Sequence, residues 1–158
     1  MTPSQAHWIT ETCRAAQDAH HVFPLMAACE AALESDYGQS FLAKDGCNLF
    51  GMKQHQHPEF GTITLPTREF LQDKGWQTVE ARWVKYPDAK SCFSDRMITL
   101  QRLQNRYPNY GAALRADSPE TYIWEVSKTW ATDPKRGQNV FNCYREYREL
   151  TGCDDPTL

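Results

Sequence analysis

Apolar positions recur along this chain with two different periods, and the change of period divides it into elements. Trp8, Ile9, Cys13 and Ala16 follow helical spacing behind Thr2-Pro3, an N-cap followed by a first-turn proline, which predicts a helix over about 4–20. Leu25, Met26, Cys29, Ala32 and Leu33 fall at i, i+1, i+4, i+7 and i+8, one apolar face of a second helix that starts at Pro24 and stops at Gly38. Residues 41–59 keep neither period, and Gly46, Gly51 and Pro58 punctuate a predicted loop. Residues 60–65 and 79–86 are rich in β-branched and aromatic side chains, which predicts the two strands of a small antiparallel hairpin. Asp73-Lys74-Gly75 supplies a turn before the second strand, with a short helical or irregular piece at about 67–72, and Pro87-Asp88 ends the hairpin.

Helical spacing then returns. Ser94 caps a segment bearing Met97, Leu100 and Leu103, and Tyr107-Pro108-Asn109-Tyr110 breaks it. Ser118-Pro119 opens a helix with Ile123, Val126 and Trp130 in register. Asp133-Pro134 opens the last, about 134–151, with Val140, Tyr144, Tyr147 and Leu150 inward and Gly152 as its stop. Helices, one small β element and helices again make an α+β layout, and residues 1–158 form a single domain without repeat or linker.

Composition narrows the function classes. A hydrophobic content of 41% fits a packed core, and a net charge of -3 excludes the basic field that tracks nucleic acid. No apolar run approaches the ~20 residues of a membrane span. The first residues lack a basic start followed by an apolar block, so no signal peptide is predicted. The chain either begins after one or leaves the cytoplasm by another route. Six cysteines (13, 29, 47, 92, 143 and 153) contain no C-x-x-C pair, which argues against a zinc site. They suit either disulfides of an oxidising compartment or small buried apolar positions. Cys143 and Cys153 flank the end of the last helix, where a short clip is expected if they pair. His55 and His57 invite a metal reading, but no third ligand stands near them in sequence, and no metal is expected.

One residue carries chemistry of its own. Glu34 falls in the last turn of a mostly apolar helix. An apolar wall disfavours the charged form of a carboxyl group, and a carboxyl that keeps its proton can protonate a glycosidic leaving oxygen. The alternative is a helix-terminal glutamate that only fringes the helix in water.

Residues 34–40, Glu-Ser-Asp-Tyr-Gly-Gln-Ser, followed by 48–53, Asn-Leu-Phe-Gly-Met-Lys, resemble the signature of glucosaminidases of glycoside hydrolase family 73. That family includes autolysins, phage lysins, flagellar wall-penetrating enzymes and type VI secretion effectors. The pair of motifs at this separation is far more specific than either alone. The resemblance covers roughly residues 24–150. Gly61 through Phe70 is similar to the family's strand ending in T-x-E-Y/F, and Val79 through Tyr86 to its returning strand. Ser91, Phe93 and Asp95 resemble the segment that follows, Arg106-Tyr107 and Tyr110 an R-Y-x-x-A segment, and residues 130–134, Trp-Ala-Thr-Asp-Pro, a Y-A-T-D-P motif.

The resemblance implies a lysozyme-like fold, with a mainly helical lobe, a small β-hairpin lobe and a cleft between them. It implies Glu34 as catalytic acid and Glu69 as a second carboxylate, either the base that activates water or a supporting group. It implies substrate contacts at Tyr37, Asn48, Tyr86, Trp130, Thr132 and Asp133, and no cofactor. Tyr37, Tyr86 and Trp130 favour the cleft over the core because their polar tips need partners, and Phe50 favours the core. Asn48 either binds an N-acetyl group or caps a turn. Three residues depart from the pattern. Trp130 replaces Tyr, keeping a flat face but exchanging a phenol for an indole donor. Asp36 replaces Gly at a tight approach. Glu30 replaces Gln one helical turn before Glu34, where an ionised neighbour makes a charge on Glu34 costlier and a solvent-facing one does little.

The implied activity is cleavage of the β-1,4 bond after N-acetylglucosamine in peptidoglycan, in the periplasm or cell wall. The rival readings are a muramidase or lytic transglycosylase of the same superfamily, and a catalytically inactive wall-binding module. An antibacterial effector with a cognate immunity protein as partner, or a phage lysin, suits a lone short domain without a signal peptide.

Overall fold

The computed structural model describes residues 1–54 and 59–153, with the side chain of Glu69 outside the description. His55 and His57, the residues of the metal reading, lie outside the described residues; among the described ones no group of three or more His, Cys, Asp or Glu side chains is placed to hold a metal ion. The elements in order are α1 (Pro3–Asp18), α2 (Pro24–Glu34), α3 (Phe41–Gly46), β1 (Gly61–Leu71), β2 (Gly75–Lys85), α4 (Ala89–Leu103), α5 (Pro108–Leu114), α6 (Pro119–Ser127) and α7 (Arg136–Thr151). No described helix is long and apolar enough to cross a membrane.

Local chemistry sets most of the helix starts. Thr2 and Gln5 form a reciprocal capping box, and Ser40, Asp88 and Ser118 each accept a backbone N–H in the first turn of α3, α4 and α6. Asp88, not Ser94, caps α4, so the helix begins at Ala89, earlier than predicted. Two short helices, α3 and α5, occupy stretches expected to be loop or breaker. Both are too short for a periodic apolar pattern to show.

The hairpin is longer than expected. Strands β1 and β2 pair antiparallel along their whole length, from Gly61 opposite Lys85 to Leu71 opposite Gly75. Residues 67–71 are strand because each finds a partner across the ladder, a tertiary gain that local propensity does not register. Pro66 is tolerated because a two-stranded sheet has an outer edge on each strand. Among the described residues, the root of the hairpin meets the body. Tyr86 N–H donates to Gly46 O (2.8 Å), Val84 N–H donates to Met52 O (2.9 Å), and Lys53 bridges Trp83. The tip carries Phe70 and Trp76, exposed and edge-to-face at 5.7 Å.

Helix α2 runs through the middle of the body. It was expected to bury one face, yet every residue from Pro24 to Ala32 is buried. Alanines at 27, 28, 31 and 32 explain this, since small side chains admit neighbours on all sides. Leu25, Met26, Ala28, Cys29 and Ala32 join a core shared with α1, α5, α6 and α7. Ala27 and Ala31 join a second core with Phe50, Val84, Tyr86 and Phe93 at the hairpin root.

Between those cores lies a buried polar cluster. Glu30, Arg96 and His21 are each fully buried, and Arg136 is 6% exposed. Arg96 Nη2 and Arg136 Nη2 both donate to Glu30 Oε1. Tyr122 Oη donates to Glu30 Oε2 (3.4 Å). Burial pushes the Glu30 carboxyl up, but the guanidiniums of Arg96 and Arg136 more than offset it and hold the group below its usual value. His21 accepts from Phe23 N–H through Nδ1 (3.2 Å), and burial lowers its pKa from 6.5 to about 3.

The cysteine clip expected between Cys143 and Cys153 is not formed. Cys143 is buried inside α7, and Cys153 lies past the helix end, about 12 Å further along by helical rise alone. A disulfide needs Cα atoms within about 7 Å.

The buried histidine fixes a pH dependence. Its folded pKa is depressed, so the unfolded chain binds a proton below pH 6.5 that the folded chain refuses until about 3. Stability therefore falls as pH drops through that window, by about 2 kcal/mol between pH 7 and 5 from this group alone. Urea unfolding at the two pH values should show that loss, and His21→Asn should reduce the difference substantially.

Candidate active site

Glu34 owes its position to how α2 ends. The helix stops at Glu34, four residues before the predicted glycine, because Asp36, Tyr37 and Gly38 all adopt left-handed φ of 52°, 51° and 76°. Such a run is unfavourable for residues with a Cβ, by about 1–2 kcal/mol each. It is held by Tyr37 N–H donating to Ala32 O (2.7 Å), Ser40 N–H to Ser35 O (2.9 Å) and Gly38 N–H to Ser35 Oγ (2.9 Å). Gly38 admits no side chain, since a Cβ there would sit 2.6 Å from Trp8 Nε1. The Asp36 departure is thus a non-glycine residue in a conformation that suits glycine.

The wall around Glu34 is only partly apolar, with Leu33, Ala131 and Val140 beside the polar Asp133, Arg136 and Asn139. Its side chain is 27% exposed, and Oε1 accepts from Arg136 Nε at 2.7 Å. Arg136 is the residue that sequence reasoning missed. At the start of α7 it donates three ways, to Glu34 through Nε, to Ser127 Oγ through Nη1 (3.0 Å), and to Glu30 through Nη2. The two carboxylates raise its pKa further, against the lowering effect of its burial. A basic residue two positions after the Asp-Pro of the Trp-Ala-Thr-Asp-Pro motif was the available signal. The two alternatives weighed for Glu30 both fail: it neither confronts Glu34 directly nor faces solvent, because Arg136 stands between the two carboxylates.

A cleft of about 590 Å³ lies along α2 and α7, lined by Glu34, Tyr37, Asp133, Arg136, Asn139 and Cys143 among others. It brings together three of the predicted site residues, Glu34, Tyr37 and Asp133. Tyr37 packs edge-on against Trp8, and burial raises its phenol to about 12. Asp133 Oδ1 accepts from Lys135 N–H at 2.9 Å. Thr132 is exposed in a neighbouring depression with Trp124 and Lys128.

The other predicted contacts are placed differently. Trp130 is half-buried, and one face is covered by the Arg96 guanidinium, whose Cζ lies 3.3 Å from the ring centroid. Phe50 and Tyr110 pack around it. Tyr86 is 3% exposed and donates its hydroxyl to Asp95 inside the core. The inference that its polar tip requires the cleft fails because a buried carboxylate supplies the partner. Asn48 is also buried. Its Nδ2 donates to Met52 O and Val84 O (2.9 Å each), and its Oδ1 accepts from Met52 N–H (2.9 Å). It caps the 48–52 turn and ties it to β2, which leaves no free donor for a sugar. Glu69 stands opposite Gln77 in the outer half of the hairpin, with its side chain outside the description.

A helical body, a hairpin rooted beside it, and a carboxylate at the abrupt end of the central helix define the lysozyme-like peptidoglycan hydrolase fold. Within that class, the chain belongs to the glucosaminidase family, described as mannosyl-glycoprotein endo-beta-N-acetylglucosaminidase, which matches residues 10–149. It resembles the crystal structure of the catalytic domain of the autolysin Auto from Listeria monocytogenes, with a TM-score of 0.75 and 25% identity over 98% of this chain and 89% of that one. It is 27% identical over 143 residues to a probable N-acetylmuramidase of Lactococcus lactis subsp. cremoris, covering 88% of this chain and 32% of that protein. The chain therefore spans about a third of that curated relative's length. It also shares its fold, at a TM-score of 0.60 and 16% identity over 96% of each chain, with a type VI secretion system effector–immunity complex from Pseudomonas protegens.

The buried placements of Asn48 and Tyr86 make a direct prediction. Asn48→Ala should cost about 2 kcal/mol in urea unfolding, because it strands two buried backbone groups, Met52 N–H and Val84 O, while Met52 O keeps its bond from Val84 N–H. Tyr86→Phe, which leaves Asp95 without its phenol partner, should also lower stability. In neither folded variant should KM for wall fragments change by more than about twofold.

Proposed function

We propose that this chain hydrolyses peptidoglycan, cutting the β-1,4 bond after N-acetylglucosamine, with Glu34 as the catalytic acid. The observation that carries the reading is Glu34 itself, the last residue of α2, with its carboxyl group lining an open cleft and oriented by Arg136. In the proposed step, the Glu34 proton moves to the glycosidic oxygen as its bond to the anomeric carbon breaks. The carboxylate left behind keeps its hydrogen bond from Arg136 Nε. Water, or first the substrate's own acetamido oxygen, completes the displacement at the anomeric carbon. Glu69 is proposed as the base in the first case and as a sugar-orienting group in the second. Tyr37 and Asp133 line the same cleft and are proposed substrate contacts; Thr132 and the uncovered face of Trp130 are proposed at its margin.

A second reading is a muramidase, which the name of the lactococcal relative favours, while the family's description favours a glucosaminidase. Action in the periplasm or wall follows from either substrate. Delivery as an antibacterial effector with an immunity partner is supported by the shared fold with the Pseudomonas protegens complex.

Digestion of purified sacculi, borohydride reduction and mass spectrometry of the muropeptides separate the readings. Reduced N-acetylglucosamine ends are expected, whereas reduced N-acetylmuramic acid ends would establish the muramidase. Glu34→Gln should lower the rate by at least about 10²-fold without loss of fold by circular dichroism. A folded Glu34→Gln protein of near-wild-type activity would remove Glu34 from the catalytic role.

A further inference from the structure

The core beside the cleft contains a pair of thiols that the proposed hydrolysis does not use. Cys29 lies on α2, fully buried, and Cys143 lies on α7, 6% exposed, where these two helices pack together. Both belong to one buried apolar core, the Cys143 thiol interacts with the Cys29 thiol, and Tyr37 Oη stands 3.9 Å from Cys143 Sγ. Cys143 also lines the cleft that contains Glu34, so a reagent entering the cleft meets it first.

We propose that Cys29 and Cys143 are an oxidation site, closing to a disulfide that staples α2 to α7. Closing the bridge brings the two sulfurs to the ~2 Å bond length, which requires Cα atoms within about 7 Å of one another across the packed helices. The helix ends make the location consequential: Glu34 follows Cys29 by a little over one turn, and Arg136 precedes Cys143 by two turns. The bridge fixes the two helices whose ends hold the Glu34–Arg136 pair.

The oxidant is a disulfide of the surrounding compartment, acting by exchange. The Cys143 thiolate attacks one sulfur of that disulfide and expels a thiolate. The Cys29 thiolate then attacks the Cys143 sulfur of the mixed disulfide and expels the second. Cys29 and Cys143 lose two protons and two electrons together, and the oxidant is reduced to two thiols. Cys143 is suited to the first attack because its hydrogen bond with Cys29 holds its thiol below the usual value. An oxidising compartment rests on the wall-hydrolase reading, but the chemistry does not, so the test supplies its own oxidant.

The folded protein is incubated with oxidised glutathione, denatured, alkylated with iodoacetamide and mapped without reduction. The expected product is a Cys29–Cys143 peptide pair two hydrogens lighter than its thiols, with Tm raised by about 5–10 °C and returned by dithiothreitol. Cys29→Ala/Cys143→Ala should show no dithiothreitol-dependent change in Tm. The proposal is overturned if both thiols are alkylated, if Cys143 is recovered only as a glutathione adduct or bridged to another cysteine, or if the reducible gain survives in the double variant. None of these outcomes depends on whether the protein cuts peptidoglycan.

Discussion

Glu30 places a negative charge at the centre of a helical core, and the arrangement around the cleft follows from neutralising it. A buried carboxylate without partners would cost several kcal/mol. Arg96 from α4 and Arg136 from the start of α7 meet that requirement together, and Arg136 also donates to Glu34 at the surface. The four side chains form an alternating chain from the interior to the cleft, with Arg136 as the shared link. Removing any inner member would leave an uncompensated buried charge, so α2, α4 and α7 are pinned in one relation. The orientation of the proposed catalytic acid is thus set by a group buried one helical turn below it.

The aromatic surroundings of the cluster have the same origin. Arg96 lies flat on Trp130 and near Phe50, and its Nε and Nη1 find no hydrogen-bond partner among the described residues. A guanidinium stacked between rings retains part of its electrostatic stabilisation through the ring faces. This explains why Trp130, a plausible sugar platform on its flat shape alone, has one face committed to the core. Tyr86 follows the same logic, with Asp95 taking the hydroxyl that an exposed tyrosine would turn to solvent.

Much of the architecture was legible in the chain because its signals are local. Thr2-Pro3 and Ser118-Pro119 mark true helix starts, and the apolar spacing of 25–33 marks the helix that holds the site. The hairpin was legible in its root strands and not in 67–71, where pairing with β2 decides the conformation. The proposed acid was picked out by a motif, Glu34-Ser35 ahead of Tyr37-Gly38. Its environment was not, because the group beside it arrives from a residue 102 positions away. Tyr86 was misplaced for a related reason, since a polar tip states that a partner is needed, not where the partner is, and Asn48 took the turn-capping role that its sequence reading had left open. Glu30 shows the limit most plainly, since burial and two arginines from separate helices made it a structural anion rather than a neighbour that acts on Glu34 directly.

The central claim is that Glu30 positions Glu34 through Arg136, and a double-mutant cycle tests it most directly. Glu30→Gln, Arg136→Gln and the pair are compared in wall-hydrolysis rate and in urea stability. The account predicts that each single change lowers both quantities and that the pair is far less damaging than the sum, with a coupling of about 1–3 kcal/mol in stability and a non-additive loss in rate. Strict additivity in both measurements, or a Glu30→Gln protein with unchanged rate and stability, would contradict it.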